Sequence, residues 1–191
     1  MTSQIQDEIF VAGAGGQGVL AFGKLLVQSA VEEEKFVTYY PSYGAEIRGG
    51  TANCAVIISD REIGSPVVSL YKTMIIMNAP SYAKFLSRLA PDGMLIVNSS
   101  LVDIHTGQKN GAGQGKNKTI GIPASEIARR VGDLRCANVV MLGAYTKLKN
   151  IISENSAVES IKKFFSKTPP AVIQLNLKAF KEGMVAAGAG E

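Results

Sequence analysis

The sequence predicts an α/β fold: three layers, αβα, around a mostly parallel sheet, with a Rossmann-like start and a helical C-terminal third. Two observations carry this. Short apolar runs rich in β-branched residues alternate with segments of helical periodicity over the first two thirds of the chain. Beyond residue 122 the apolar residues recur at helical spacing almost to the end.

Residues 8–13 form an apolar run that stops at glycines, and Val19, Leu20, Leu25, Leu26, Val27 and Ala30 follow at helical spacing. Strand, tight turn and helix are expected in that order. Residues 36–40 read as a second strand ending at Pro41, which cannot donate a ladder hydrogen bond, so a right-handed β-α-β unit is predicted. Residues 51–59 are the third strand and 72–78 the fourth, whose unbroken apolar character indicates burial on both faces. Asn78 is placed to cap a helix with Pro80 in its first turn and Tyr82, Phe85, Leu86 and Leu89 as its apolar stripe. Pro91, Asp92 and Gly93 are expected to end that helix, and residues 94–98 to form the fifth strand.

Residues 103–118 turn to Gly, Asn, Gln and Lys, the composition of a long solvated loop. A second glycine cluster within it, 111–115, follows no strand and precedes no helix, so it is given no phosphate-binding role. Residues 119–122 read as a short strand. Pro123 and Gly132 bracket one helix and residues 137–148 make the next. Ser156 and Glu159 form a capping-box pattern ahead of a face carrying Val158, Ile161 and Phe165. Pro169 and Pro170 open a last helix expected to stop near Gly183, with a frayed tail from Val185. No linker or internal repeat divides the 191 residues, and one domain over 1–191 is expected.

Composition narrows the function. With 46% hydrophobic and 19% charged residues, the chain is expected to bury one sizeable core. The net charge of +4 is spread over scattered Lys and Arg residues, a pattern that points away from nucleic acid. The first eight residues lack a basic and then apolar order, and no apolar stretch approaches the roughly 20 residues of a membrane span. A cytoplasmic protein without membrane or nucleic-acid partners is expected. Cys54 and Cys136 are far apart, whereas a cubane iron–sulfur cluster takes four thiolates, so this chain alone cannot ligate one. His105 is the single histidine, which excludes a multi-histidine metal site. No cofactor or metal bound by this chain alone is expected.

Two motifs invite chemistry. Gly13, Gly15 and Gly18, with Gly16 and Gln17 between them, match the Gly-x-Gly-x-x-Gly spacing between a strand and a helix, where backbone can approach a pyrophosphate. A dinucleotide site also wants an acid about 20 residues on, where this chain has Thr38, Tyr39 and Tyr40. Nucleotide binding, tight packing and contact with a partner chain therefore stand as alternatives for these glycines. The second motif, residues 41–50, leaves the carboxyl end of a strand, the edge at which open α/β sheets bind ligands. It offers Ser42, Tyr43, Glu46, Arg48 and Gly49. Arg48 can grip a carboxylate or phosphate bidentately, or it can pair with Glu46 and pin the loop. No spacing argues for a nucleophile with its base, so no catalytic residue is assigned.

Together, these glycine-rich segments resemble the gamma subunit of 2-oxoacid:ferredoxin oxidoreductases. The likeness covers Ile9 to Val68, and continues in residues 74–78, 93–98 and 176–183. The run from Ser42 to Cys54, with Ile63, Gly64, Ser65 and Pro66, is most similar to the 2-oxoglutarate branch; residues 103–118 match no family feature. The resemblance implies a non-autonomous subunit of an enzyme that converts a 2-oxoacid and coenzyme A to an acyl-CoA and carbon dioxide, passing electrons to ferredoxin or another low-potential acceptor. It implies alpha and beta partner subunits, with a ferredoxin-like delta subunit, that carry thiamine diphosphate, magnesium and iron–sulfur clusters. Residues 42–49, beside Gly15, Gly16 and Gln17, would be the contacting edge. Pyruvate, branched-chain and indolepyruvate branches, or a free-standing nucleotide-binding oxidoreductase, are the alternatives. A homodimer of the isolated chain is a further expectation.

Overall fold

Strand β1 (Gln6–Ala14) is the spine of the molecule, and its alternation sends Ile9 and Val11 into one hydrophobic core and Phe10 and Ala12 into another. The computed structural model describes residues 6–43, with Tyr43 by its backbone, 51–103 and 117–189. Further strands are β2 (Phe36–Tyr43), β3 (Thr51–Ser59), β4 (Tyr71–Ile76), β5 (Leu89–Asn98) and β6 (Lys118–Ile122). They form one sheet in the order β2-β3-β1-β4-β5-β6. β1, β4, β5 and β6 pair in parallel, while β3 runs antiparallel to both neighbours, which leaves β2 parallel to β1 but one strand removed from it. The mostly parallel α/β fold expected from the sequence is the one observed.

Helices α1 (Val19–Val31), α3 (Ala124–Val131), α4 (Ala137–Lys149), α5 (Glu154–Phe164) and α6 (Pro170–Gly188) supply the larger core. The other face is covered by α2 (Ala79–Phe85), the 3-10 turn Leu86–Arg88 and Val68. The helical layers are therefore unequal. In α4, every residue from Ala137 to Thr146 is buried, as expected of a helix enclosed on all sides.

Four boundaries differ from the sequence expectation. β2 runs through Pro41 to Tyr43, because it is an edge strand whose outer N–H groups need no partner. Helix α2 ends at Phe85, and Pro91, Asp92 and Gly93 lie inside β5. There Tyr71 pairs with Leu89 and Thr73 with Met94, a bulge that Asn117 holds by donating to the carbonyls of Ala90 (2.6 Å) and Gly93 (3.3 Å). Leu89 still packs with Tyr82, Phe85 and Leu86, so their common apolar surface survives the change of element. Helix α5 starts one turn before the capping box, since Ser153 is its N-cap and accepts from Ser156 N at 3.1 Å.

The fourth difference is Gly183, which sits within α6 instead of ending it; that helix continues to Gly188, with Ala187 buried. The reason lies in the neighbouring helix. A Cβ on Gly183 would fall 2.0 Å from Val140 O, and a Cβ on Gly143 would fall 2.0 Å from Phe180 O. The backbones of α4 and α6 thus touch at two reciprocal glycines, and no side chain fits between them. Most of residues 103–118 and all of 111–115 and His105 lie outside the described residues.

Two polar clusters secure the amino edge and the helix layer. Buried Asp7 accepts Thr73 Oγ1 at 2.8 and 3.0 Å and Tyr145 OH at 3.0 Å, with Lys149 Nζ at 3.4 Å, joining β1, β4 and α4. Burial, the charge of Asp7 and its hydrogen bond hold the Tyr145 phenol well above its ordinary pKa. At the end of α1, Glu33 accepts Ser153 N at 2.6 Å and Lys35 Nζ at 2.8 Å. Burial raises the pKa of this carboxyl, but the bonds from Lys35, Ser153 and Ser156 outweigh it and bring it down to about 2.

Two predictions follow from this packing. Gly183→Ala lowers unfolding stability by about 3 kcal/mol, seen as a lower denaturant midpoint at unchanged slope. For Glu33, a folded-state pKa below the ordinary 4.5 means stabilisation that is complete above that pH and lost as pH falls towards about 2. Glu33→Gln is therefore less stable at pH 7 by about 1 kcal/mol and has a flatter acid limb in thermal melts across that window.

Candidate functional site

The strand pairing brings the two sequence motifs together. β1 ends at Ala14, whose register partner is Thr51, the first residue of β3, and β2 ends at Tyr43, opposite Ala52. The connection from β2 to β3 therefore begins one strand out from the glycine turn and ends beside it, at the carboxyl edge of the parallel strands. Ser42, half-buried, pairs with Asn53. Tyr43 is placed by its backbone only, and Glu46, Arg48 and Gly49 lie outside the described residues. At the foot of the connection, Lys84 of α2 donates to Thr51 Oγ1 at 3.1 Å.

The turn's glycines divide by cause. Gly13 is a packing position, where a Cβ would come within 2.8 Å of both Gln17 Oε1 and Met77 Cβ. Gly16 (φ 90°) and Gly18 (φ 73°) adopt left-handed backbone, and Gly18 also lies against Asn138, whose Nδ2 donates to Gly18 O at 3.1 Å. Gly15 is different. It is exposed, has no left-handed φ, and a Cβ there would meet nothing within 4 Å. Nothing in the described chain requires glycine at 15, so its bare backbone is available to a neighbour.

Polar side chains lace this edge. Gln17 folds back so that Oε1 accepts from Ala14 N (2.7 Å) and Asn78 Nδ2 (3.0 Å), and Asn78 Oδ1 caps α2 through Ser81 N (2.9 Å). At the end of β5, buried Asn98 donates to Met77 O (3.3 Å) and Ser125 Oγ (2.8 Å) and accepts from Ser125 N (3.2 Å). Sequence reasoning identified Asn78 as a cap but missed Asn98, Ser125 and Asn138. For Asn98 the available signal was an asparagine ending an apolar strand run, where a buried amide must find partners.

What the site lacks is also informative. In a dinucleotide fold, the strand beside β1 carries the ribose-binding acid at its carboxyl end. Here β3 occupies that place, running the other way with Thr51 and Ala52 beside the turn, and β2 is displaced outward. The thiols are poor nucleophiles. Burial pushes Cys54 up to about 12, and burial with the charge of Asp133 pushes Cys136 up to about 11. Among the described residues no group of three His, Cys, Asp or Glu side chains could hold a metal ion, and no helix is long and apolar enough to cross a membrane.

The family model of pyruvate ferredoxin/flavodoxin oxidoreductase matches residues 8–186. A ketoisovalerate oxidoreductase subunit VorA from Methanothermobacter thermautotrophicus is 38% identical over 91% of this chain, which spans 35% of that protein's length. A 2-oxoglutarate synthase subunit KorC from the same organism is 34% identical over 94% of this chain and 94% of its own. The crystal structure of a keto/oxoacid ferredoxin oxidoreductase gamma subunit from Geobacter sulfurreducens superposes with a TM-score of 0.77 at 29% identity, covering 96% of this chain and 99% of that one. The chain therefore belongs to the pyruvate ferredoxin/flavodoxin oxidoreductase family, and within it to the gamma-subunit type.

Proposed function

We propose that this chain is the gamma subunit of a 2-oxoglutarate:ferredoxin oxidoreductase. The complex would convert 2-oxoglutarate and coenzyme A to succinyl-CoA and carbon dioxide, releasing one proton and passing two electrons to ferredoxin or another low-potential acceptor. The observation that carries the choice is the 34% identity to a 2-oxoglutarate synthase subunit over 94% of either chain, against 28% to a pyruvate synthase subunit of similar coverage. The run from Ser42 to Cys54 supports the same branch. The higher identity to the ketoisovalerate subunit favours a second reading, a branched-chain oxoacid.

Alpha and beta subunits, with a ferredoxin-like delta subunit, would hold thiamine diphosphate, magnesium and the clusters, since two cysteines cannot supply a cubane. This chain contributes an edge. Gly15 and Gly16 offer bare backbone and Gln17 holds the turn, and on this reading Ser42, Tyr43, Glu46, Arg48 and Gly49 supply the contacts to partner subunits, substrate or coenzyme A. Arg48 is the group suited to a carboxylate or phosphate.

Affinity purification from the native host without oxygen tests the assignment. The tagged chain should bring down thiamine diphosphate, iron and CoA-dependent dye reduction that is fastest with 2-oxoglutarate; preference for 2-oxoisovalerate selects the second reading, and a lone colourless chain overturns both. In the assembled enzyme, Arg48→Ala should raise a KM, for coenzyme A or for the oxoacid, by roughly tenfold or more, the loss of a charged hydrogen bond. Unchanged KM and kcat would remove Arg48 from the site. Gly15→Ala and Gly18→Ala separate contact from folding. The first leaves the melting temperature of the isolated chain unchanged and lowers turnover of the complex, whereas the second costs the isolated chain about 1–3 kcal/mol.

A further inference from the structure

Asn78 performs two tasks with one carboxamide, and only one of them explains why it is asparagine. As the N-cap of α2 it accepts from Ser81 N at 2.9 Å, which aspartate, serine or threonine would do as well. Its Nδ2 also donates to Gln17 Oε1 at 3.0 Å, and aspartate has no donor to offer there. Gln17 Oε1 is already the acceptor for Ala14 N at 2.7 Å, so the Gln17 amide cannot turn over without orphaning that backbone donor. The side chain lies in space that a Cβ on Gly13 would take, 2.8 Å from Oε1. On the same helix, Lys84 reaches Thr51 Oγ1 at the foot of the β2–β3 connection. Helix α2 is thus tied to both motifs of the carboxyl edge, to the glycine turn through Asn78 and to the neighbouring hairpin through Lys84.

We propose that Asn78 is a positioning residue: through Gln17 it locks the glycine turn to α2, fixing how the bare backbone at Gly15 and Gly16 is presented. The function of that presentation rests on the reading given above, in which the turn faces partner subunits and coenzyme A. The lock itself depends only on the hydrogen bonds.

Asn78→Asp tests it, because the variant keeps the cap and loses the donor. Hydrogen exchange on the isolated chain and steady-state kinetics of the assembled complex are measured together. The melting temperature should stay within a few degrees, the Ala14 amide should exchange about tenfold faster, and the KM for coenzyme A or the oxoacid should rise about tenfold. Gln17→Glu, which retains an acceptor for both donors, should keep Ala14 protected. Unchanged Ala14 protection in Asn78→Asp would overturn the lock, whatever the kinetics. Lost protection with unchanged KM and kcat would leave the lock standing and overturn the placement of the turn at the working edge.

Discussion

Strand β3 is the constraint on which the site depends. It enters the sheet antiparallel between β1 and β2, so the chain must cross from the end of β2 to the start of β3 at the carboxyl edge, directly beside the turn that leaves β1. The same insertion moves the end of β2 two strand spacings, about 10 Å, from the end of β1. An acid at the end of β2 would then not occupy the place from which the acid of a dinucleotide fold reads the ribose, at the end of the strand beside β1. Placing β2 at the rim also leaves Phe36 and Tyr40 exposed on an edge strand, a surface that suits a chain made to be covered.

A binding edge needs a stiff support, and the helical layer behind β1 provides one. Helix α4 is buried through Thr146, and its contact with α6 is backbone against backbone at Gly143 and Gly183. Such a contact has little freedom to slide, because no flexible side chain mediates it. The same helix carries Asn138 to the glycine turn at one end and Tyr145 to Asp7 at the other. One rigid rod therefore registers the carboxyl edge of the sheet against its amino edge.

Much of this was legible in the sequence, for identifiable reasons. The strands were readable because they are short runs of apolar and β-branched residues, continuous in the buried β1 and β4, and the turn after β1 was readable because glycine spacing is local chemistry. Interactions between distant segments were not. Gly183 reads as a stop signal unless Val140 is known to face it, and Pro91 to Gly93 read as a helix end unless Asn117 is known to hold the carbonyls of Ala90 and Gly93. Ser153 and Ser156 are both plausible caps, and the choice was made by Glu33, 120 residues away in sequence, which takes the Ser153 amide. The antiparallel sense of β3 was hidden too, since a strand's direction leaves no mark on its own composition. For the site, the turn itself and Gln17 were legible as local chemistry, but the amide of Asn138, 120 residues away in sequence, carried no mark of its contact with Gly18.

The chemistry of the described residues also bears on division of labour within an enzyme. The described groups at this edge are amides, hydroxyls, bare backbone and the Lys84 ammonium, all suited to hydrogen-bonding a neighbour. The two thiols are held neutral by burial. A decarboxylation that releases two electrons needs a carbanion-stabilising cofactor and an electron relay, which the proposed reading assigns to the partner subunits. On the proposed reading, selection on this chain acts on the fit of its edge against another chain's reacting centre. A substitution at Gly15 would then escape any screen for folding and still be costly in the assembled enzyme.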